Sequence, residues 1–447
     1  MATVEELREN LLADLDVLVA KAVRAGGTGE GLAHLDKKIR ARVLAMGEQV
    51  VRVAASARST KVKKQKVAKK CDDCDGPLRF RQVRPVTVRT RLTGAPVQAE
   101  TAYLTCPRCG SGHFELKHAM RLDPDGFTPS LVAVSLRASA MEPFESAAAV
   151  LLGEIAGIEV SKSKLHSLVG DVNDTAWSLL ATGELGSARL LKTGERLFVE
   201  IDGVMAHVDE GWHEIKLAVI FAEGDHGHVS RDRNAIHHRT VVATRGTREE
   251  LGGLIFNAVA RWLPKDAAGG PIIAENVVVI SDGAAWIRNL VDDVLPGARV
   301  ILDWYHAVEH VQATARALYE DDGARKRWAG EVKNKLADGR LDDLLRDIAH
   351  LTMRHSEHVS RRQSLQGLHD YLSKRRDALN YADARMQGLH IGSGVAESTA
   401  KNLIQLRMKR PGMRWESSGA DAMIALRCAH ASTGGMGALL RTYHQAA

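Results

Sequence analysis

A chain of 447 residues has room for roughly two to four domains and at least one large core. Hydrophobic residues make up 45% and charged residues 26%, an ordinary globular balance, and no apolar run approaches the roughly 18 residues of a membrane span, which argues against a helical membrane protein. The formal net charge of +6 admits a polyanionic partner without requiring one, so the placement of the charge matters more than its total.

The opening stretch MATVEELRENLLADL is acidic and amphipathic, unlike a signal or transit peptide, and predicts a soluble, cytoplasmic protein with no membrane association. Residues 1–57 read as a helical region of one or two amphipathic helices with a Gly-rich break at 26–31. Residues 58–70 hold seven Lys and Arg and no acid, and read as a mobile basic linker.

Residues 71–114 begin with CDDC and close with CPRCGSGHF, with alternating polar and apolar residues between, as in a small antiparallel sheet. Cys71-x2-Cys74 and Cys106-x2-Cys109 offer four thiolates, the set that zinc favours at closed structural sites, so a zinc ribbon-like module with one structural Zn2+ is expected. Gly110 suits the tight turn after the second pair, and the arginines inside the module could touch phosphate. A redox CxxC is the competing reading. Cys428, in MIALRCAHA, reads as a buried small hydrophobe.

Residues 128–182 look helical. FESAAAVLLGEIAG, IEV and SKSKLHSLVGDVND read as helix, turn and helix, with Ser161 as N-cap. Lys162, Lys164 and His166, near the start of the second helix, are candidate DNA contacts, against the plainer reading of a hairpin that only packs.

From Glu195 the texture changes to short β-branched strands: RLFVEIDGV, EIKLAVIFA, the AIHHRTVVAT region, NVVVISDGA and ARVILDWYH, with the helix TREELGGLIFNAVARWL between the third and fourth. The order β-β-β-α-β-α-β predicts an α/β fold with a mixed five-stranded sheet, the first strand beside the fourth. Residues 195–309 form the first part of this core, 310–390 a helical insertion, 391–430 the closing part, and 431–447 a C-terminal tail.

Asp202 and Asp282 each end a predicted strand and precede a glycine, which puts two carboxylates in one open crevice. Glu397 follows IGSGV at the head of a helix and supplies a third. Three carboxylates suit two Mg2+ (or Mn2+) ions, as in phosphoryl-transfer sites. Lys401, Lys409, Arg410 and Arg414, downstream of Glu397, are candidate grips on a nucleic-acid backbone. Glu200, on the same strand face as Asp202, is a spare carboxylate that the metal shell could also use. Trp304, Tyr305 and Trp415 could stack on unpaired bases or simply pack.

The blocks IDGV (201–204), ISDGAAWI (280–287), ILDWYHAVEHV (301–311) and IGSGVAESTAKNLIQLRMKRPGMRW (391–415) resemble those of ISKra4-type insertion-sequence DDE transposases, strongly over about 195–430 and more loosely before it. The resemblance implies a ribonuclease H-like core with Asp202, Asp282 and Glu397 as catalytic metal ligands. It also implies a D-x-x-H element, Asp303 to His306, that places His306 near the reaction; the competing reading has His306 packing beneath an Asp303 cap. It implies transposon-end and target DNA as partners, a homodimer or higher homo-oligomer on DNA, and a bacterial, nucleoid-associated location. Two other readings stand beside it: a domesticated, catalytically inactive DNA-binding regulator, and a ribonuclease H-like nuclease or resolvase.

Overall fold

The computed structural model describes residues 4–26, 35–64, 70–209, 211–230, 233–274 and 276–446. It divides into two compact units, 1–171 with 440–447, and 172–439. Among the described residues no helix is long and apolar enough to cross a membrane.

In the first unit, helices Val4–Gly26 and Leu35–Lys64 precede a three-stranded antiparallel sheet, β1 (Arg79–Arg89), β2 (Pro96–Thr105) and β3 (Gly112–Phe114), in the order β1-β2-β3. Val86, Val88 and Ala99 on the sheet pack with Ala55 of the second helix and with Leu116 and Leu122, which closes a small core. The second helix runs through Lys64, so the first half of the expected basic linker is helical. Residues 65–69 of that linker, and 27–31 of the expected Gly-rich break, lie outside the described residues.

The stretch read as helix, turn and helix forms two helices joined by a short loop. A helix over 144–156, mostly of π geometry, stops at Gly157 in the left-handed region (φ 66°), and helix Lys162–Asp171 follows with Lys164 N–H donating to Ser161 Oγ at 3.2 Å. The next helix, Asn173–Ala181, falls in the second unit.

The second unit is built on a mixed five-stranded sheet made of β4 (Leu197–Val208), β5 (Gly211–Ala222), β8 (Thr240–Thr244), β9 (Val277–Ser281) and β10 (Arg299–Leu302), in the order β10-β9-β4-β5-β8. The pairs β4–β5 and β5–β8 are antiparallel, and β4–β9 and β9–β10 are parallel. Every residue of β8 and β9 is buried, which explains the apolar runs VVA and VVVI at their centres: both faces of the sheet are covered, and the polar residues Thr240, Thr244 and Ser281 stand only at strand ends. Helix Arg248–Ala260, opened by a Thr247–Glu250 capping box, and helix Ala285–Val294 form the crossovers. Helix Ser417–Ala431 lies against β8 and buries Cys428 completely.

Two expectations need correction here. Asp202 does not end its strand. β4 continues to Val208 as a ribbon with β5, and Val204, Ala206 and Val208 are buried in alternation with exposed Gly203 and Met205, the period of a half-covered strand. The AIHHRTVVAT region is not one strand either. β6 (His226–Ser230) and β7 (Arg233–Ile236) make a separate hairpin, and only Thr240–Thr244 joins the sheet.

The helical insertion follows β10 as helices Trp304–Leu318, Asp322–Ala337, Leu341–Arg354 and Val359–Ser373. Leu341, Leu344, Leu345 and Ile348 are buried at the spacing of one helix face, which packs that helix against its two neighbours in the insertion.

Candidate active site

The parallel pairing of β4 with β9 runs from Leu197 opposite Val277 to Ile201 opposite Ser281. The next residue on each chain is Asp202 and Asp282, so the two carboxylates leave adjacent strands at the same level, where the pairing stops. Gly203 N–H donates to Asp202 Oδ1 at 2.7 Å, and Ala284 N–H to Asp282 Oδ1 at 2.8 Å. Gly283 sits at φ +76°, and a Cβ there would lie 2.5 Å from Arg375 Nε and 2.6 Å from the Leu302 side chain, so only glycine fits. Arg375, from the end of the insertion, donates Nε–H to the Gly283 carbonyl at 2.9 Å and so braces the loop that carries Asp282.

Glu397 stands exposed on the first turn of helix Gly394–Ala400. Burial raises the Asp202 carboxyl above the usual range, and the charges of Asp282 and Glu397 raise it further, while the Gly203 N–H and the His306 charge oppose the shift. The three acids named by the sequence therefore share one electrostatic neighbourhood. Their oxygens do not close into a single tight shell: among the described residues, the groups of three or more potential ligand atoms within 4.8 Å of one another are both in the cysteine module.

Behind the acids lies Asp303, 2% exposed, which accepts from Tyr305 N–H at 2.8 Å, His306 Nδ1 at 3.0 Å and Ser393 Oγ at 2.5 Å. The hydrogen bond and charge of Asp303 push His306 up to about 9 against the cost of burial, and Asp282 adds to the shift. His306 is therefore a cation at neutral pH. Its side chain remains 42% exposed, unlike a packed core histidine. The sign of the linkage follows: a histidine raised from 6.5 to about 9 lends stability in full below 6.5 and loses it as pH rises through about 9. His306→Ala is expected to lower the melting temperature slightly at pH 6 and not at pH 10, measured by calorimetry in both buffers. A large loss at pH 10 would return His306 to a purely packing role.

Glu200 is 1% exposed and does not open onto the crevice. Its Oε2 accepts from Ala396 N–H at 2.7 Å, and burial pushes it up to about 8. Of the aromatic candidates, Trp304 stacks edge-on against Tyr381 beneath Arg385, and Trp415 donates Nε1–H to the Met408 carbonyl beneath Arg407. Tyr305 is 64% exposed, beside Gly392.

Lys401, Lys409 and Arg414 are exposed on the stretch that follows Glu397, and Arg410 there donates Nε–H to the Leu406 carbonyl. Asp209 N–H donates to the Trp415 carbonyl at 2.6 Å, which brings the basic stretch to the tip of the β4–β5 ribbon. Lys409 Nζ lies 5.1 Å from the ring centre of Trp212, a 57% exposed residue that sequence reasoning passed over.

In the first unit, Lys162 pairs with Glu145, Lys164 is caught between Asp123 and Asp125, and exposed His166 meets Phe144 edge-on. Lys164 in particular offers little charge outward, because two carboxylates already surround its ammonium.

The cysteines come together as expected. Cys71 and Cys109 Sγ lie 3.6 Å apart, and Cys74 and Cys106 Sγ 3.5 Å apart, close to the ~3.8 Å between sulfurs bound 2.3 Å from one tetrahedral centre. No disulfide joins them. Gly76 packs so tightly that a Cβ would lie 3.0 Å from Cys106 Sγ, and Gly110 takes φ +79° in the second knuckle. The Ser111 side chain is the main cause that lowers the Cys109 thiol to about 6. The four sulfurs could hold a structural metal such as zinc. His113 Nε2, 3.3 Å from Cys71 Sγ, is a neighbour that the CxxC spacing did not reveal.

No curated protein matches the chain. A family model described as Uncharacterised protein family (UPF0236) matches residues 114–442, well over half of the chain, starting at the last residue of the cysteine module and spanning the whole five-stranded sheet and the Glu397 helix; the chain belongs to that family.

Proposed function

We propose that the chain is a DDE-type transposase that cuts and joins DNA at the ends of a mobile element, using Asp202, Asp282 and Glu397. The observation that carries this reading is that Asp202 and Asp282 leave adjacent strands where β4 and β9 cease pairing, with the charge of Glu397 acting on Asp202. The sheet supports it. Counted from β8, three antiparallel strands lead to β4, then two parallel strands follow by crossovers, the strand order of a ribonuclease H-like core.

The donor set is three hard oxygens on a crowded patch of negative charge, which suits Mg2+ or Mn2+ better than softer ions. When bound, such ions activate the attacking water or 3′-hydroxyl and stabilise the leaving oxygen. The chain's own residues do the rest. Protonated His306, held by Asp303, can donate a hydrogen bond to a phosphate oxygen, and loss of one such positioned donor typically costs roughly 10²–10³ in rate. His306→Ala should therefore slow single-turnover strand cleavage by that factor. Lys401, Lys409, Arg410 and Arg414 can track the phosphate backbone. The four sulfurs of the cysteine module would hold one Zn2+ and stiffen the small sheet around it.

The test uses purified full-length protein with Mg2+ and three substrates: the DNA that flanks its own coding sequence, a scrambled duplex, and an RNA–DNA hybrid. Site-specific cleavage of the first alone is expected. Cleavage of the hybrid instead would indicate a ribonuclease H-like nuclease. Charge reversal of Lys409 and Arg414 should weaken binding to the flanking DNA and flatten its salt dependence, by about 0.9 in the log–log slope for each phosphate that is no longer neutralised. An unchanged slope would remove these residues from the interface.

A further inference from the structure

Glu200 is an acid buried two residues before Asp202 whose burial the strand chemistry alone does not explain. Its Oε2 accepts from Ala396 N–H at 2.7 Å, and the Val395 N–H beside it also favours the charged form of the carboxyl. These N–H groups belong to the first turn of helix Gly394–Ala400, where the backbone has no partners of its own within the helix. The helix is short and entered through Gly392-Ser393-Gly394, so its own sequence does little to fix its position. Just before it, the segment is held at a second place: Ser393 Oγ donates to Asp303, and Trp304 N–H donates to the Ile391 carbonyl at 2.8 Å.

We propose that Glu200 is a positioning residue, a strut from β4 that docks the first turn of helix Gly394–Ala400 and so sets where Glu397 stands relative to Asp202. The sheet thus presents two carboxylates with different duties. Asp202 faces the crevice, and Glu200 grips the backbone that delivers the third acid from nearly two hundred residues further along the chain. A polar contact serves this better than an apolar one, because its direction fixes both the distance and the rotation of the helix. The inference rests on the reading of Asp202, Asp282 and Glu397 as one site, but the docking of the helix can be tested without it.

The experiment compares wild type, Glu200→Gln, Glu200→Ala and Glu200→Asp as full-length protein, by hydrogen exchange of residues 394–400 without metal and by calorimetric titration with Mn2+. Gln keeps an acceptor oxygen at the same reach. Ala removes it, and Asp withdraws it by one methylene. Exchange in 394–400 should quicken by about tenfold or more in the Ala and Asp variants, while β4 and β9 stay protected, and Mn2+ affinity should fall by about 10–100-fold, the usual range for outer-shell partners. Glu200→Gln should restore both. If Glu200→Ala fails to fold, Glu200→Asp carries the comparison. Unchanged exchange in the folded Ala or Asp variant, or a Gln variant no better than Ala, would overturn the strut. Faster exchange in a protein whose wild type binds no Mn2+ would uphold the strut and remove the metal reading instead.

Discussion

Asp202→Asn, Asp282→Asn and Glu397→Gln are each expected to abolish Mg2+-dependent strand cleavage while leaving DNA binding and the fold in place. Each carboxylate would help hold ions that supply several kcal/mol of transition-state stabilisation, so the loss should be roughly 10³-fold or more. Asp202 carries a second signature. Its carboxyl is raised by burial and by Asp282 and Glu397, so the folded protein binds this proton more tightly than the unfolded chain does. Without metal, wild-type stability must then fall as pH rises through the Asp202 titration, and Asp202→Asn should remove that part of the fall. Melting temperatures in EDTA between pH 4 and pH 8 read this directly. A variant that melts lower than wild type throughout, with cleavage intact, would make Asp202 a structural residue.

The second large effect concerns the four sulfurs. Purified, reduced protein is expected to hold close to one Zn2+ per chain, lost in Cys74→Ser and in Cys106→Ser. The module around them has only a small core, centred on Val86, Val88, Ala99 and Leu116, so a metal would carry much of its stability. Structural zinc in small modules is worth about 10–16 kcal/mol of apparent binding energy at neutral pH. Chelation should therefore expose residues 71–114 to proteolysis long before the five-stranded sheet unfolds. Freshly prepared protein with no zinc, or a Cys106→Ser variant that keeps it, would contradict the assignment.

Much of the architecture is legible in the sequence, and the reasons are local. The strands VVVIS and TVVAT carry apolar runs, VVVI and VVA, because both faces are covered, and the two CxxC pairs bracket strands that alternate visibly. The continuation of β4 past Asp202 is hidden by Asp202-Gly203, which reads as a turn; the alternation of Val204, Ala206 and Val208 is the signal that could have revealed it. The β6–β7 hairpin is rich in His and Arg and follows no strand pattern.

At the site, the three acids could be picked out because each stands beside glycine-marked backbone. The residues that hold them could not. Glu200, Ser393 and Arg375 act on groups far away in the chain, and no spacing rule connects Glu200 to Ala396 or Arg375 to Gly283. Lys164 shows the converse. Its position near a helix start suggested DNA, but Asp123 and Asp125, about forty residues earlier, claim its charge.

The most direct test of the central claim is a metal-specificity switch at Asp282. Single-turnover cleavage of the element's own end is measured for wild type and Asp282→Cys, each in Mg2+ and in Mn2+. A thiolate is a poor ligand for Mg2+ and a better one for the softer Mn2+. If Asp282 holds a catalytic ion, the cysteine variant should be inactive in Mg2+ and regain cleavage in Mn2+, while wild type works in both. Equal activity of the variant in the two metals, or cleavage by wild type in EDTA, would contradict a metal site at Asp202, Asp282 and Glu397.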